Sequence, residues 1–182
     1  LVDWFSEMLK SSGAEVKLGE LVTSSDVIDF DEVIIATGVS PRDPKIKGHE
    51  KNNVVSYVEV LNGTGQIGQK VAVIGAGGIG FDVSEYLVHE NKSDNKQIEI
   101  PKWMKEWGVG DPNKTPGGLA ESGPKPEAAV RQVTLMQRKK QKLGRNLGKT
   151  TGWIHRSALK MKNVKMIGNV NYEEITSEGI MV

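Results

Sequence analysis

Residues 70–88, Lys-Val-Ala-Val-Ile-Gly-Ala-Gly-Gly-Ile-Gly-Phe-Asp-Val-Ser-Glu-Tyr-Leu-Val, constrain the fold more than any other stretch. Val71, Ala72, Val73 and Ile74 read as a buried strand. It breaks into Gly75-Ala76-Gly77-Gly78-Ile79-Gly80, and a helical stripe of Ile79, Val83, Tyr86 and Leu87 follows at once. A strand that turns on glycines into a helix is the unit that cradles a dinucleotide pyrophosphate. In that reading Gly75 permits the tight turn, Gly77 lets backbone approach phosphate, and Gly80 lets the helix pack on the strand. The helix N-terminus presents N–H groups without acceptors and a partial positive charge. The bland alternative is a tight turn with no ligand. Correct flanks on both sides favour the binding turn.

The rest of the chain extends this unit. Residues 1–11 carry a helical pattern (Leu1, Phe5, Met8, Leu9) that stops at Ser12-Gly13. Residues 15–18 alternate like a short strand, and 30–38 read as a strand running into Gly38. Pro41, Pro44 and Gly48 mark a crossover loop. The apolar run 54–61 ends at the turn residues Asn62-Gly63. Past the glycine unit, residues 131–137 predict a second strand. Ile154, Ala158 and Met161 share a helix face, and 164–167 predict a third strand. Strand, helix, strand, helix, strand implies a Rossmann-like α/β domain with a parallel sheet. The tail, residues 170–182, turns near 177–179 and predicts an antiparallel addition. Between helix and second strand, residues 91–126 are too long for an ordinary connection and read as an insertion. Its Trp103 and Trp107 either cover a ligand or form a satellite core.

Composition narrows the function classes. The chain has 182 residues, 37% hydrophobic and 26% charged, with net charge +1, so a general affinity for nucleic acid or anionic membrane is not expected. There is no cysteine, which excludes disulfides and cysteine-ligated metal or iron–sulfur centres within these residues and is compatible with a cytoplasmic location. Leu1 opens within a helical pattern and Val182 closes within an apolar stretch, which reads as a piece of a longer polypeptide.

The end of the second strand decides which nicotinamide is expected. An acid there pairs with a free ribose hydroxyl, and a cation accommodates a 2′-phosphate. Spacing from the glycines points first at Glu99, but the apolar run around it is very short and Pro101 ends it. The better strand ends Leu135-Met-Gln-Arg-Lys-Lys140, with no carboxylate and three cations. Arg138, with Lys139 or Lys140, then reads an NADPH phosphate. A solvated charge run is the alternative, and nucleic-acid binding through 138–145 is a further one, disfavoured by the missing aromatics. Residues 144–152 resemble a phosphate-binding loop but lack one spacer residue; Thr150 or Thr151 reads instead as a helix cap, and Lys149 as a possible cofactor neighbour. His155 has no acidic partner evident from sequence and reads as structural.

Two glycine features together resemble the two-dinucleotide flavoprotein reductases: Ala36-Thr37-Gly38 after a strand, upstream of Gly75–Gly80. Residues 75–82, 135–139 and 147–156 look like the C-terminal part of bacterial NADPH-dependent 2,4-dienoyl-CoA reductases. The resemblance implies a chain divided into 1–45, the end of an FAD-type domain with its crossover, and 46–182, an NADPH-binding domain. It implies cofactor contacts from Gly75, Ala76, Gly77, Gly78, Ile79, Gly80, Arg138 and Lys139, with Thr37 and Gly38 near FAD. NADPH would pass hydride to FAD, with no acid, base or nucleophile from this chain. It further implies a partner TIM barrel carrying FMN and a 4Fe-4S cluster, both outside these residues. A related flavoenzyme binding an adenine nucleotide structurally, without hydride transfer, is the alternative.

Overall fold

A computed structural model describes residues 1–89 and 100–182. Contacts divide them into two units, Leu1–Ser40 and Pro41–Val182. In the first, the expected helix is α1 (Val2–Ser11). Gly13 follows its cap at φ +73°, a left-handed conformation that glycine adopts without a Cβ clash. Trp4, Phe5, Met8 and Leu9 are exposed.

The strands expected at 15–18 and 30–38 do not form; both stretches are irregular, exposed backbone. Their side-chain patterns suit a sheet, but a strand exists only when a neighbour pairs with its N–H and C=O groups. No segment of this unit offers one. Residues 24–29 form turns instead. Asp26 accepts from the Thr23 amide (2.7 Å) and hydroxyl (2.6 Å), and these bonds hold its carboxyl below the usual range.

The second unit is a mixed α/β fold of Rossmann-like type. β1 (Lys70–Ile74), β2 (Gln132–Met136) and β3 (Lys165–Ile167) form a parallel sheet in that order. Val73 pairs with Leu135, and Leu135 with Met166. α2 (Tyr57–Asn62) precedes β1, α3 (Gly78–Val88) follows it, and α5 (Gly152–Met161) links β2 to β3. α3 packs against β1, β2, α2 and α5. Being covered on several sides, it buries more than a single stripe: Phe81, Val83, Ser84, Leu87 and Val88 are inside. Ile79, expected on that stripe, is 51% exposed. Leu135 and Leu159 complete the centre of the core. Gly144 is where the β2–α5 loop passes over Phe81, since a Cβ there would come within 2.8 Å of the ring.

The apolar run 54–61 becomes α2 through a capping box. Glu59 N–H donates to Ser56 Oγ (3.3 Å), and the Ser56 amide donates to Glu59 Oε2 (2.8 Å). The Ser56 hydroxyl, which donates to Glu59 Oε2 at 2.7 Å, and with it the Ser56 amide, depress the Glu59 carboxyl. Gly63, at φ +72°, ends the helix. Thr151 stands at the N-cap of α5, but neither threonine caps it through its side chain as expected. The turn before it is closed by backbone alone, Gly152 N–H to Gly148 O at 2.7 Å. Its buried residues are Gly152, Ala158 and Leu159, whereas Ile154 is 37% exposed.

Within the expected insertion, 91–99 lie outside the described residues, as does Glu99. The remainder holds α4 (Ile100–Trp107) and a short 3-10 turn, Pro116–Gly118. The Trp103 and Trp107 rings lie 6.5 Å apart, tilted by 33°; Trp103 is exposed, Trp107 is half-buried, and α4 buries no residue fully. What ties this segment down is an ion pair, Lys162 Nζ to Glu106 Oε1 at 2.6 Å, with 4% and 17% of those side chains exposed. Lys162 also donates to Glu127 O (3.1 Å). The tail forms the expected antiparallel pair, β4 (Glu174–Ile175) and β5 (Ile180–Met181). Ile175 N–H donates to Lys47 O (2.8 Å). Among the described residues no helix is long and apolar enough to cross a membrane.

Candidate functional site

The glycine turn lies where β1 ends. Gly75 N–H donates to Met136 O (2.8 Å), continuing the β1–β2 pairing one step beyond the strand. Gly75 then turns at φ +104°, a value that side chains rarely tolerate. Gly77 caps α3 in extended backbone, and the first helical bond runs from Phe81 N–H to Gly77 O (3.1 Å). Helix geometry therefore leaves the N–H groups of Gly78, Ile79 and Gly80 without an acceptor behind them.

The glycines do different things. A Cβ on Gly77 or Gly78 would meet nothing within 4 Å, so their bareness leaves open room in front of those amides. A Cβ on Gly80 would collide with the Gly75 carbonyl, so this glycine is what lets α3 close on β1. Ala76 packs against the core, and Ile79 projects outward. Room, unpaired donors and a helix N-terminus together fit a pyrophosphate.

The end of β2 supplies the charge. Gln137 folds the following loop back on itself: its Nε2 donates to Lys139 O (3.0 Å) and to Gln141 O (2.5 Å). Arg138 and Lys139 are left exposed, and neither makes an ion pair among the described residues. Both line the same cleft as Gly75–Gly80. That cleft is broad and open to solvent, a groove along which an extended ligand can lie.

The structure thus gathers Gly75, Ala76, Gly77, Gly78, Ile79, Gly80, Arg138 and Lys139 around one cleft, built wholly from the second unit. Thr37 and Gly38 stand in the first unit, exposed, with Gly38 at φ +76°. Lys149 is exposed and does not line the cleft. His155 does have an acidic partner: its Nδ1 lies 3.4 Å from Glu85 Oε2 on α3. Seventy residues separate that pair, so no local pattern could signal it. Sequence reading also missed Gln137 as the residue that shapes the loop, and Tyr172, which reaches the cleft from the tail. Burial pushes the Tyr172 phenol up, against the opposing pull of the Arg138 charge and the Gly75 backbone.

Set against known proteins, the sequence matches the profile of the pyridine nucleotide-disulphide oxidoreductases over residues 6–182. The chain belongs to that family. It is 37% identical over 94 residues to a cinnamate reductase of Clostridium sporogenes, covering 50% of this chain and 14% of that protein. It is 24% identical over 176 residues to a metal reductase of Desulforamulus reducens, covering 93% of this chain and 25% of the relative. A solved complex of 2-naphthoyl-CoA reductase with 2-naphthoyl-CoA superposes with a TM-score of 0.61 at 21% identity. That match covers 97% of this chain and 21% of the larger one, and it shows the fold alone. The chain thus spans a quarter or less of these relatives' lengths. Membership makes it a domain of a pyridine-nucleotide and flavin oxidoreductase.

Proposed function

We propose that this chain is the NADPH-binding module of a larger flavoprotein reductase, one that delivers reducing equivalents to an unsaturated acyl thioester of the 2,4-dienoyl-CoA type. The observation that carries this reading is the row of acceptor-free amides at Gly78–Gly80 opening on a cleft that Arg138 and Lys139, at the end of the neighbouring strand, also line. When bound, a reduced nicotinamide would supply a hydride to a flavin of the parent protein, and we assign the Thr37–Gly38 segment, from its resemblance alone, to the flavin's own site. The protein's share is placement. The α3 amides and the helix dipole hold the pyrophosphate. Arg138 pairs with the 2′-phosphate, seconded by Lys139. No side chain need donate or remove a proton. The substrate class rests on the resemblance of residues 75–82, 135–139 and 147–156 to 2,4-dienoyl-CoA reductases and draws support from a relative named for cinnamate, another conjugated unsaturated carboxyl compound. In that parent protein FMN and a 4Fe-4S cluster would sit in a TIM barrel outside these residues.

Calorimetric titration with NADPH, NADH and ADP tests the binding role, and stopped-flow flavin reduction in the full-length protein tests the hydride role. NADPH is expected to bind more tightly than NADH and to bleach the flavin. Binding of all three ligands without flavin reduction would replace this reading with a structural nucleotide site.

A further inference from the structure

Tyr172 reaches the site from the far end of the fold. Asn169 N–H donates to Lys139 O (3.1 Å) and Val170 N–H to Gln137 O (3.2 Å), lacing the segment after β3 to the loop that carries Arg138. On the other side, Glu173 N–H donates to Met181 O (3.0 Å). Tyr172 is therefore held between two anchored stretches of backbone, lining the cleft with Gly75 and Arg138. Its hydroxyl is buried and has no hydrogen-bond partner among the described residues. The neighbouring Gly75 amide is already committed to Met136 O at 2.8 Å. A buried polar atom left unpaired is costly and rare enough to need a reason. Burial keeps the proton on this phenol, so at neutral pH it is a donor lacking an acceptor.

An oxygen acceptor between the first glycine and the end of the second strand is what the adenosine ribose of a dinucleotide brings to such a turn. We propose that the Tyr172 hydroxyl donates to the 2′-phosphate of the bound nucleotide, beside Arg138, as a second reader of that phosphate. This rests on the NADPH reading above. Arg138 is exposed, and its charge acts on the Tyr172 phenol, so the two side chains stand near enough to meet one phosphate.

Tyr172→Phe, Arg138→Ala and the double variant are titrated with NADPH, NADH and ADP, and melting temperatures are read without nucleotide. Tyr172→Phe should weaken NADPH about tenfold to hundredfold, as for a hydrogen bond to a charged group, and leave NADH and ADP within about twofold. It should melt no lower than the unaltered protein, because it removes an unpaired hydroxyl. The double variant should lose less than the product of the singles, since both residues meet one phosphate. Unchanged NADPH affinity, or equal losses for NADPH and NADH, overturns the proposal while leaving the binding reading intact. Failure of the unaltered protein to bind either nicotinamide nucleotide overturns both, and the unaltered protein alone reports it.

Discussion

Gly77→Val separates a glycine kept for ligand space from one kept for folding. At Gly77 the backbone stands at φ −85° and ψ −170°, extended geometry that any residue adopts, and nothing lies within 4 Å of the new Cβ. Folding therefore meets only two opposed effects. A branched residue is a poorer helix cap than glycine by about 1 kcal/mol. Against that, replacing glycine restricts the unfolded chain, worth about 0.4–1 kcal/mol in the other direction. Net stability should stay within about 1 kcal/mol. Binding should not. The valine methyls occupy the room in front of the Gly78 and Ile79 amides, and losing two charge-assisted bonds at about 1.5 kcal/mol each weakens a dinucleotide about a hundredfold. Calorimetry with NADPH and NADH, beside a urea melt, reads both quantities. Gly80→Ala is the contrasting control. Its single methyl meets the Gly75 carbonyl, so the α3–β1 contact must open, at about 1–3 kcal/mol of stability. A well-folded Gly77→Val that binds both nucleotides at unaltered affinity would refute the assignment of the pyrophosphate to this turn.

Three further outcomes are expected. Arg138→Ala should weaken NADPH at least about tenfold and NADH little; equal losses, read by calorimetry, would mean that Arg138 does not meet the 2′-phosphate. Lys162→Met should cost about 3 kcal/mol in urea denaturation, because Glu106 is left largely buried without its cation, and adding Glu106→Leu should recover most of that loss; a cost under about 1 kcal/mol would show that the pair does not anchor the segment carrying α4. The Glu59 carboxyl is depressed by its bonds to Ser56, so its contribution is fully present above the ordinary value of 4.5 and is lost as pH falls through the lower folded value. Ser56→Ala should therefore flatten the acid limb of stability against pH, measured by thermal melts across pH 3–6 (a range of about three units around that value); an unaltered slope would remove the capping box from the account.

Which parts of this protein could be read early follows from the range of the forces involved. The turn at Gly75–Gly80 was legible because its requirements are local. A left-handed φ, a bare helix start and a close helix–strand approach each demand glycine within a few residues. The parallel sheet followed from alternating element types, and the antiparallel tail from the turn signal near 177–179. The capping box of Ser56 and Glu59 is equally local, a Ser-x-x-Glu spacing set inside the apolar run 54–61.

The first unit shows the opposite case. Residues 15–18 and 30–38 have strand-like composition and no strand, because backbone pairing needs a partner that no composition supplies. Burial of Phe81 and Leu159 depended on how many neighbours surround α3 and α5, and the Glu85–His155 contact joined two helices far apart along the chain. The cleft is divided in the same way. Its phosphate-facing amides were written into one short run of residues. Arg138 and Tyr172, in contrast, reach it only because Gln137 and the segment after β3 hydrogen-bond across the end of the sheet. Local sterics act over a turn of chain and can be read from it; packing and pairing act across space, and only the assembled fold decides them.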